Sequence, residues 1–217
     1  MGRTIEQLAP ERGFEVVARI DPKGGEAGKV TRDTLNRADV AVEFSVPASA
    51  PANVRAAVDA GCPIVVGTTG WYEQRHEIEE LVRKQTGAIL VAPNFSVGVA
   101  AFGEIVKAAA RTLKGAPGFD AHITETHHTA KKDAPSGTAA NLAKLAAEEW
   151  GGDIPITSIR TGSVPGTHEL LFDAPFEQIR LEHVARDRRV FADGALLAAK
   201  WLIGKHGVFT MSDVLAG

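Results

Sequence analysis

The feature that most constrains the fold is an alternation, in the first half of the chain, of short apolar runs with helical patterns. Wholly apolar runs such as 63–67 and 88–92 are typical of strands that are covered on both faces. Because helical patterns separate the strand-like runs, this half is predicted to form βαβ units around a parallel sheet. The predicted strands are 14–21, 40–45, 63–67 and 88–92, and the predicted helices are 49–60 and 71–85.

The second half follows a different pattern. A long helical pattern over 97–113 precedes a strand over 121–126, a polar loop and a helix over 136–150. Three strand-like runs with little helix between them then lead to a last helix, and these segments are 156–161, 169–172, 178–184 and 190–203. This order is typical of an α+β domain with an open mixed or antiparallel sheet. We therefore expect a dinucleotide-binding domain over 1–96, to which 204–217 returns, and a second domain over 97–203.

Composition excludes several classes of protein. Of 217 residues, 44% are hydrophobic and 24% are charged, so the chain is not intrinsically disordered. A net charge of −3 leaves no basic excess for binding a phosphate backbone, which argues against nucleic acid as a partner. The single cysteine, Cys62, excludes an intramolecular disulfide. No apolar run approaches the ~20 residues of a membrane span, and no signal peptide precedes the first strand, so we expect a cytoplasmic protein.

The start of the chain departs from a complete βαβ sheet. The sequence opens with a helical pattern over 2–13, and no strand precedes it. A dinucleotide-binding sheet normally begins with a strand and a glycine-rich turn that feeds the first helix. We expect either that the true start lies upstream or that the chain is a fragment, without the first strand and most of the turn, about a dozen residues.

The segment 125–138 is the richest in titratable side chains, and it reads Glu-Thr-His-His-Thr-Ala-Lys-Lys-Asp-Ala-Pro-Ser-Gly-Thr. Ser136 could cap the following helix and leave the amides of Gly137 and Thr138 to bind an anion. His128 and a lysine could add charge-assisted contacts to a carboxylate, and a lysine could donate a proton. The alternative is a solvated loop that ends in a capped helix. Metal binding is disfavoured, because adjacent histidines on a strand point to opposite faces.

Three predicted strands end at one edge of the first sheet, in the segments 45–47, 67–70 and 92–96. Ligands of open α/β sheets bind beyond the carboxyl ends of the strands, which predicts a dinucleotide crevice here. Gly67 would let a flat group approach the backbone closely. Asp21 would bind a ribose hydroxyl and Lys23 a 2′-phosphate, so both NAD and NADP stay open. An ordinary turn would explain the segment 67–70, or Asp21, equally well.

Two further features carry less information. The segment 160–168 is glycine-rich and suits a hairpin-like turn, and its Arg160 and His168 could reach an anionic ligand. Cys62 lies between a glycine and a proline ahead of an apolar run, with no histidine beside it. We interpret it as a small buried thiol rather than a nucleophile.

The segment 125–139 closely resembles the signature of the 4-hydroxy-tetrahydrodipicolinate reductases, formerly called dihydrodipicolinate reductases. Support comes from Gly-Thr-Thr-Gly at 67–70, Ala-Pro-Asn-Phe-Ser at 92–96, the turn at 160–168 and Phe-Ala-Asp-Gly-Ala at 191–195. The resemblance covers nearly the whole chain in the right order. It implies a Rossmann-like cofactor domain and a substrate domain whose sheet assembles a homotetramer. It also implies reduction of a small cyclic dicarboxylate by NADH or NADPH, a step of lysine and diaminopimelate biosynthesis.

The resemblance also assigns roles to individual residues. It implies that His127 is the catalytic histidine and that Lys131, rather than Lys132, donates the proton. The residues implied to hold the substrate carboxylate are His128, Gly137 and Thr138. Those implied to contact the cofactor are Gly67, Thr68 and Thr69 at the nicotinamide end, Ala92, Pro93, Asn94 and Phe95 beside it, and Arg188 and Phe191 from the end of the second domain. Family members open with Gly-x-x-Gly-x-Met-Gly, of which Met1-Gly2-Arg3 matches only the end.

Rival functions are kept as alternatives. The first is a truncated, cofactor-impaired paralogue that binds a dicarboxylate or NAD(P) without turnover. The second is a related oxidoreductase with another substrate, such as an amino-acid or semialdehyde dehydrogenase. The semialdehyde type needs a thiol nucleophile, for which Cys62 is poorly suited. A metallohydrolase would need more metal ligands than the sequence offers, so no metal site is expected.

Overall fold

A computed structural model describes residues 1–21 and 28–217, which divide into two compact units. The first unit combines Met1–Ser96 with Arg189–Gly217, and the second is Val97–Arg188. The division after Ser96 coincides with the expected boundary. The second boundary differs from the expected one, because the last long helix belongs to the first unit rather than to a domain ending at residue 203.

The first unit contains a four-stranded sheet and five α-helices among its described residues, together with two short 3₁₀ helices, Pro10–Arg12 and Tyr72–Gln74. In chain order these elements are α1 (Gly2–Leu8), β1 (Ala41–Glu43), α2 (Ala50–Asp59), β2 (Ile64–Val66), α3 (Arg75–Lys84), β3 (Ala88–Val91), α6 (Arg189–Leu202), β8 (Gly207–Phe209) and α7 (Met211–Ala216). The strand order is β1-β2-β3-β8, and every neighbouring pair is parallel. This confirms the parallel sheet predicted for the first half.

Burial of the sheet on both faces explains its apolar strands. Ile64 and Val66 lie in a core with residues of α2 and α3, such as Val54 and Ile78. Val65 alternates to the opposite face, on which α6 packs against β2 and β3. The apolar side of α6 therefore has its partner in this unit, which is the physical reason for the corrected boundary.

The strand predicted over 14–21 does not form. Within this segment only Ile20 makes an isolated bridge, although alternate side chains from Phe14 to Ile20 are partly buried. Alternating β-branched residues favour an extended backbone, but a strand also needs a neighbour to complete its ladder of hydrogen bonds. The segment is therefore extended without being a continuous strand. Lys23 lies outside the described residues.

The second unit is an α+β layer. Its elements are α4 (Val97–Leu113), β4 (Asp120–His127), α5 (Gly137–Trp150), β5 (Ile156–Arg160), β6 (Thr167–Ala174) and β7 (Glu177–Val184). The strand order is β5-β4-β6-β7, with β4 and β5 parallel and the other pairs antiparallel. The predicted mixed sheet is therefore confirmed.

Helices α4 and α5 cover one face of this second sheet. Phe102 and Leu142 pack there against Ile123 and Phe172 of the strands. Since side chains alternate along β4, the same face receives Glu125 and His127, close to the point where α5 begins. Across both units, no helix within the described ranges has the length and apolarity needed to span a bilayer.

Candidate active site

The C-terminal end of strand β4 places a carboxylate beside a histidine in the interior of the second unit. Glu125 is 0% exposed and His127 is 8% exposed. Glu125 Oε2 is hydrogen-bonded to His127 Nδ1. Glu125 Oε1 accepts two hydrogen bonds, from Arg160 Nη2 at 2.7 Å and from the amide of Ser136 at 3.2 Å. Both carboxylate oxygens are therefore engaged.

The charges of this cluster follow from its contacts. Burial raises the pKa of Glu125, but hydrogen bonds from Arg160, Ser158, His127 and the Ser136 amide outweigh it and lower the pKa to about 2. Burial lowers the pKa of His127, and the attraction of Glu125 offsets this only in part. The pair is therefore an ionised carboxylate beside a neutral imidazole at neutral pH.

A second buried histidine completes the cluster. His168 lies opposite Glu125 across the β4–β6 pair, and its ring meets that of His127 edge-on at 5.2 Å between centroids. Its Nε2 lies 3.3 Å from Ser136 Oγ. Burial, followed by the neighbouring His127 and His183, lowers the pKa of His168 to about 4. His168 is therefore neutral in the folded protein.

Ser136 caps helix α5 as predicted. Its hydroxyl oxygen accepts a hydrogen bond from the amide of Ala139 at 3.1 Å, and its own backbone is extended. Gly137 is exposed and Thr138 half-buried at the start of the helix. The first amides of a helix attract anions, so this end of α5 suits a carboxylate.

The two lysines of the loop have different surroundings. Lys131 Nζ donates to both carboxylate oxygens of Asp133, at 2.8 and 2.9 Å, and its side chain is 22% exposed. This contact lowers the pKa of Asp133. Lys132 is exposed. Arg160 Nη2 also donates to the carbonyl oxygen of Asp133 at 2.6 Å, which ties the loop to the Glu125 cluster.

All five residues predicted for substrate chemistry lie on β4, on the following loop or at the start of α5, and they are His127, His128, Lys131, Gly137 and Thr138. The sequence reasoning assigned no role to Glu125, gave little weight to Arg160 and His168, and treated Ser136 only as a cap. The sequence does contain one indication of the role of Glu125. It lies two residues before His127 on a predicted strand, and alternate residues of a strand share a face.

The predicted cofactor residues of the first unit follow two neighbouring parallel strands. Gly67, Thr68 and Thr69 come directly after β2, and the segment 92–95 follows β3. Thr68 is buried, and its hydroxyl oxygen accepts from the amide of Ser45 at 2.8 Å. Trp71 Nε1 donates to the Thr68 carbonyl oxygen at 2.7 Å. Thr68 is therefore held through both its side chain and its backbone.

A close contact within the chain explains why residue 67 is glycine, and the sequence alone does not predict this contact. A Cβ atom there would lie 2.1 Å from the ring of Phe44, so a flat group does approach this backbone, but it belongs to the chain itself. The Phe44 ring also packs on Phe95, with 5.6 Å between centroids.

Nearby, Glu43 Oε1 accepts from the amide of Ser45 at 3.0 Å, whereas Glu43 Oε2 is buried without a partner in the described part of the chain.

The donor set of this edge fits a dinucleotide. Small residues, threonine side chains and backbone groups follow the ends of β2 and β3, which is the edge at which open parallel sheets bind dinucleotides. The remaining predicted cofactor residues are spread over both units. Asp21 is exposed after Ile20, and Phe191 is half-buried on α6, both in the first unit, whereas Arg188 is exposed at the end of the second. Within the described ranges, no three side chains are grouped as metal ligands.

Comparison with known proteins decides the family. Family models for the N-terminal and C-terminal parts of dihydrodipicolinate reductase match residues 1–95 and 98–215. The chain belongs to the dihydrodipicolinate reductase family. The resemblance inferred from the sequence is thereby confirmed.

Relatives and solved structures agree with this membership. A 4-hydroxy-tetrahydrodipicolinate reductase of Christiangramia forsetii is 36% identical, over 100% of this chain and 94% of that protein. Its counterpart from Zymomonas mobilis is 37% identical, over 99% and 92%. A dipicolinate-bound dihydrodipicolinate reductase from Paenisporosarcina sp. TG-14 has a TM-score of 0.78 at 22% identity and covers 95% of this chain and 93% of its own, so it supports the fold.

Proposed function

We propose that the chain reduces 4-hydroxy-tetrahydrodipicolinate to tetrahydrodipicolinate, with NADH or NADPH as reductant, in lysine and diaminopimelate biosynthesis. The observation that carries the proposal is the buried Glu125–His127 pair, which lies next to Lys131 and just ahead of a capped helix start. Membership of the dihydrodipicolinate reductase family and the names of its relatives support the substrate.

The second unit binds the dicarboxylate and supplies the proton. The amides of Gly137 and Thr138 bind one carboxylate, and His128 adds a further contact. Lys131 donates the proton to the atom that gathers negative charge, while Asp133 keeps its ammonium group in place. His127 is the catalytic histidine, whose neutral ring contacts the substrate beside Lys131.

The first unit binds the cofactor. The dinucleotide, when bound, supplies the hydride, and this is the only chemistry that it contributes. Gly67, Thr68 and Thr69 hold its nicotinamide end, and the segment 92–95 lines the neighbouring strand end. Asp21, Arg188 and Phe191 contact the rest of the cofactor. Net reduction takes one hydride and one proton and releases the 4-hydroxyl group as water.

We further propose a cytoplasmic homotetramer. The sheet of the second unit has α4 and α5 on one face, and its other face carries exposed apolar side chains. Ile159 and Val184 are 42% and 52% exposed there, and Phe176 at the β6–β7 turn is 100% exposed. Exposed apolar side chains on the uncovered face of a sheet are compatible with contacts between subunits, and the homotetramer itself is what the family resemblance implies. The buried Cys62 thiol is compatible with a reducing compartment.

The direct test is oxidation of NADH and NADPH in the presence of freshly generated 4-hydroxy-tetrahydrodipicolinate. We expect substrate-dependent oxidation that disappears in the Lys131→Ala protein and survives in Lys132→Ala. Binding of cofactor or dicarboxylate without oxidation would instead favour the nonenzymatic alternative.

A further inference from the structure

We propose that Glu125 is the positioning residue of His127: it fixes the imidazole with its proton on Nδ1, while burial keeps the ring uncharged and Arg160 supports this by neutralising the carboxylate. The inference rests on the proposed role of His127 in the reaction. Nothing in the family resemblance assigns a role to Glu125 or to Arg160.

The tautomer follows from hydrogen-bonding chemistry. An ionised carboxylate can only accept hydrogen bonds, so the bond between Glu125 Oε2 and His127 requires the proton on Nδ1. Nε2 is then left as the basic nitrogen of the ring. Gly166 borders this nitrogen, and a Cβ atom at that position would lie 3.0 Å from Nε2. A side chain at residue 166 would therefore crowd the basic nitrogen, and glycine avoids this contact.

The orientation of the ring is equally constrained. Glu125 is fully buried, and its second oxygen is held by Arg160 from β5 and by the Ser136 amide from the start of α5. The carboxylate therefore cannot rotate without breaking contacts to two other elements. The edge of the His168 ring limits rotation of His127 from the side of β6. Side chains fixed in this way keep catalytic groups in their productive geometry.

The charge of the ring depends on the balance around it. A lone carboxylate beside a histidine favours the imidazolium form, since opposite charges stabilise each other. Here the Arg160 guanidinium shares the same carboxylate, and its side chain is only 19% exposed. The other groups that face His127 are Lys131 from the loop and His168 from β6, with His183 beyond it on β7. Among these neighbours, Glu125 is the acid that favours the charged ring.

The decisive experiment compares Glu125→Gln with Arg160→Gln in the full-length protein. The chain has seven histidines, and the signal missing from a His127→Asn protein identifies His127 in spectra of selectively ¹⁵N-labelled protein. In the wild type we expect the proton on Nδ1 alone. In Glu125→Gln we expect the Nε2–H tautomer to appear, together with a fall in kcat of about two orders of magnitude.

The two variants should shift the titration of His127 in opposite directions. Glu125→Gln removes the anion and leaves Arg160, so the imidazolium form should become less stable. Arg160→Gln leaves the anion uncompensated, so the imidazolium form should become more stable. A purely structural role would move both titrations in the same direction. The pH profile of kcat/KM should follow the same opposite shifts.

Glu79→Gln is the matched control, because Glu79 also accepts from an arginine, Arg75, at 2.6 Å, but on helix α3 of the first unit. It should leave the tautomer and the pH profile of the wild type unchanged. An unchanged Nδ1–H tautomer in Glu125→Gln, or parallel shifts in the two variants, would overturn the proposal. If Glu125→Gln does not fold, Arg160→Gln alone tests the inference. An upward shift of the His127 titration in that variant would support it, and the absence of this shift would refute it. Full activity of His127→Asn would instead refute the catalytic role of His127, while the spectra would still test the positioning.

Discussion

The candidate sites of the two units are held in place by different kinds of interaction. In the first unit, the turn after β2 is held by hydrogen bonds between the backbone and neutral side chains, and by apolar rings such as Phe44 and Phe95. In the second unit, the residues after β4 are held by ionisable side chains that bind each other, with Glu125 and Arg160 at the centre. The first site should therefore be sensitive to added volume, and the second to changes of charge and of pH.

The largest expected effect is on catalysis in the second unit. Lys131→Ala removes the proposed proton donor and should lower kcat by roughly 10²–10³-fold. Lys132→Ala removes an equal charge from an exposed neighbour and should change kcat by less than about threefold. Steady-state oxidation of NADPH with both variants checks this, and equal losses would contradict the assignment of Lys131.

The second effect is a pH dependence of stability that belongs to the second unit. His168 has a pKa of about 4 when folded, against 6.5 for an unperturbed histidine. The unfolded chain therefore binds more protons between these values, and the free energy of unfolding falls as the pH drops from 6.5 towards 4. The loss attributable to His168 should reach up to about 3 kcal/mol at the acidic end.

Urea unfolding between pH 7 and pH 4.5 measures this dependence. His127 and His183, whose pKa values are also lowered, contribute in the same direction. The range stays above the region between pH 4.5 and 2, in which protonation of Glu125 destabilises the fold. His168→Gln should flatten the slope, whereas His76→Gln, at an exposed site on α3, should not. An unchanged slope in His168→Gln would count against a buried neutral histidine.

The third effect tests the packing of the first unit. A Cβ atom at Gly194 of α6 would lie 1.7 Å from the carbonyl oxygen of Phe95. Gly194→Ala should therefore lower the free energy of unfolding by about 1–3 kcal/mol, although alanine is the better helix former. It should also weaken cofactor binding, because the displaced backbone belongs to the segment 92–95. Gly152→Ala, where a Cβ meets nothing closer than 3.8 Å, is the control. A thermal unfolding midpoint of Gly194→Ala equal to that of the wild type would contradict the close packing of α6.

Local patterns predicted most of the secondary structure. The apolar runs of β2 and β3 and the polar alternation of β4 identify strands because each depends on its own residues and on one or two covering faces. The cap at Ser136 is equally local, because the hydroxyl oxygen of a serine directly before a helix readily accepts a hydrogen bond from the third amide of that helix.

Longer-range features could not be predicted in the same way. The segment 14–21 has a strand-like pattern, but its own residues do not determine whether a neighbouring strand pairs with it. The apolar face of α6 does not reveal which of the two sheets it covers. Arg160 and Glu125 are 35 residues apart, and only the parallel pairing of β4 with β5 brings them together. The clash that requires Gly67 likewise depends on the position of Phe44.

The most direct test of the division of labour between the units is a fluorescence titration of NADH and NADPH into the wild type, Lys131→Ala and His127→Asn. If the first unit binds the cofactor and the second supplies the proton, the Kd of each cofactor should agree within about twofold among the three proteins, while turnover is lost in both variants. A large rise in Kd that accompanies the loss of turnover would contradict this division, because Lys131 or His127 would then act through cofactor binding.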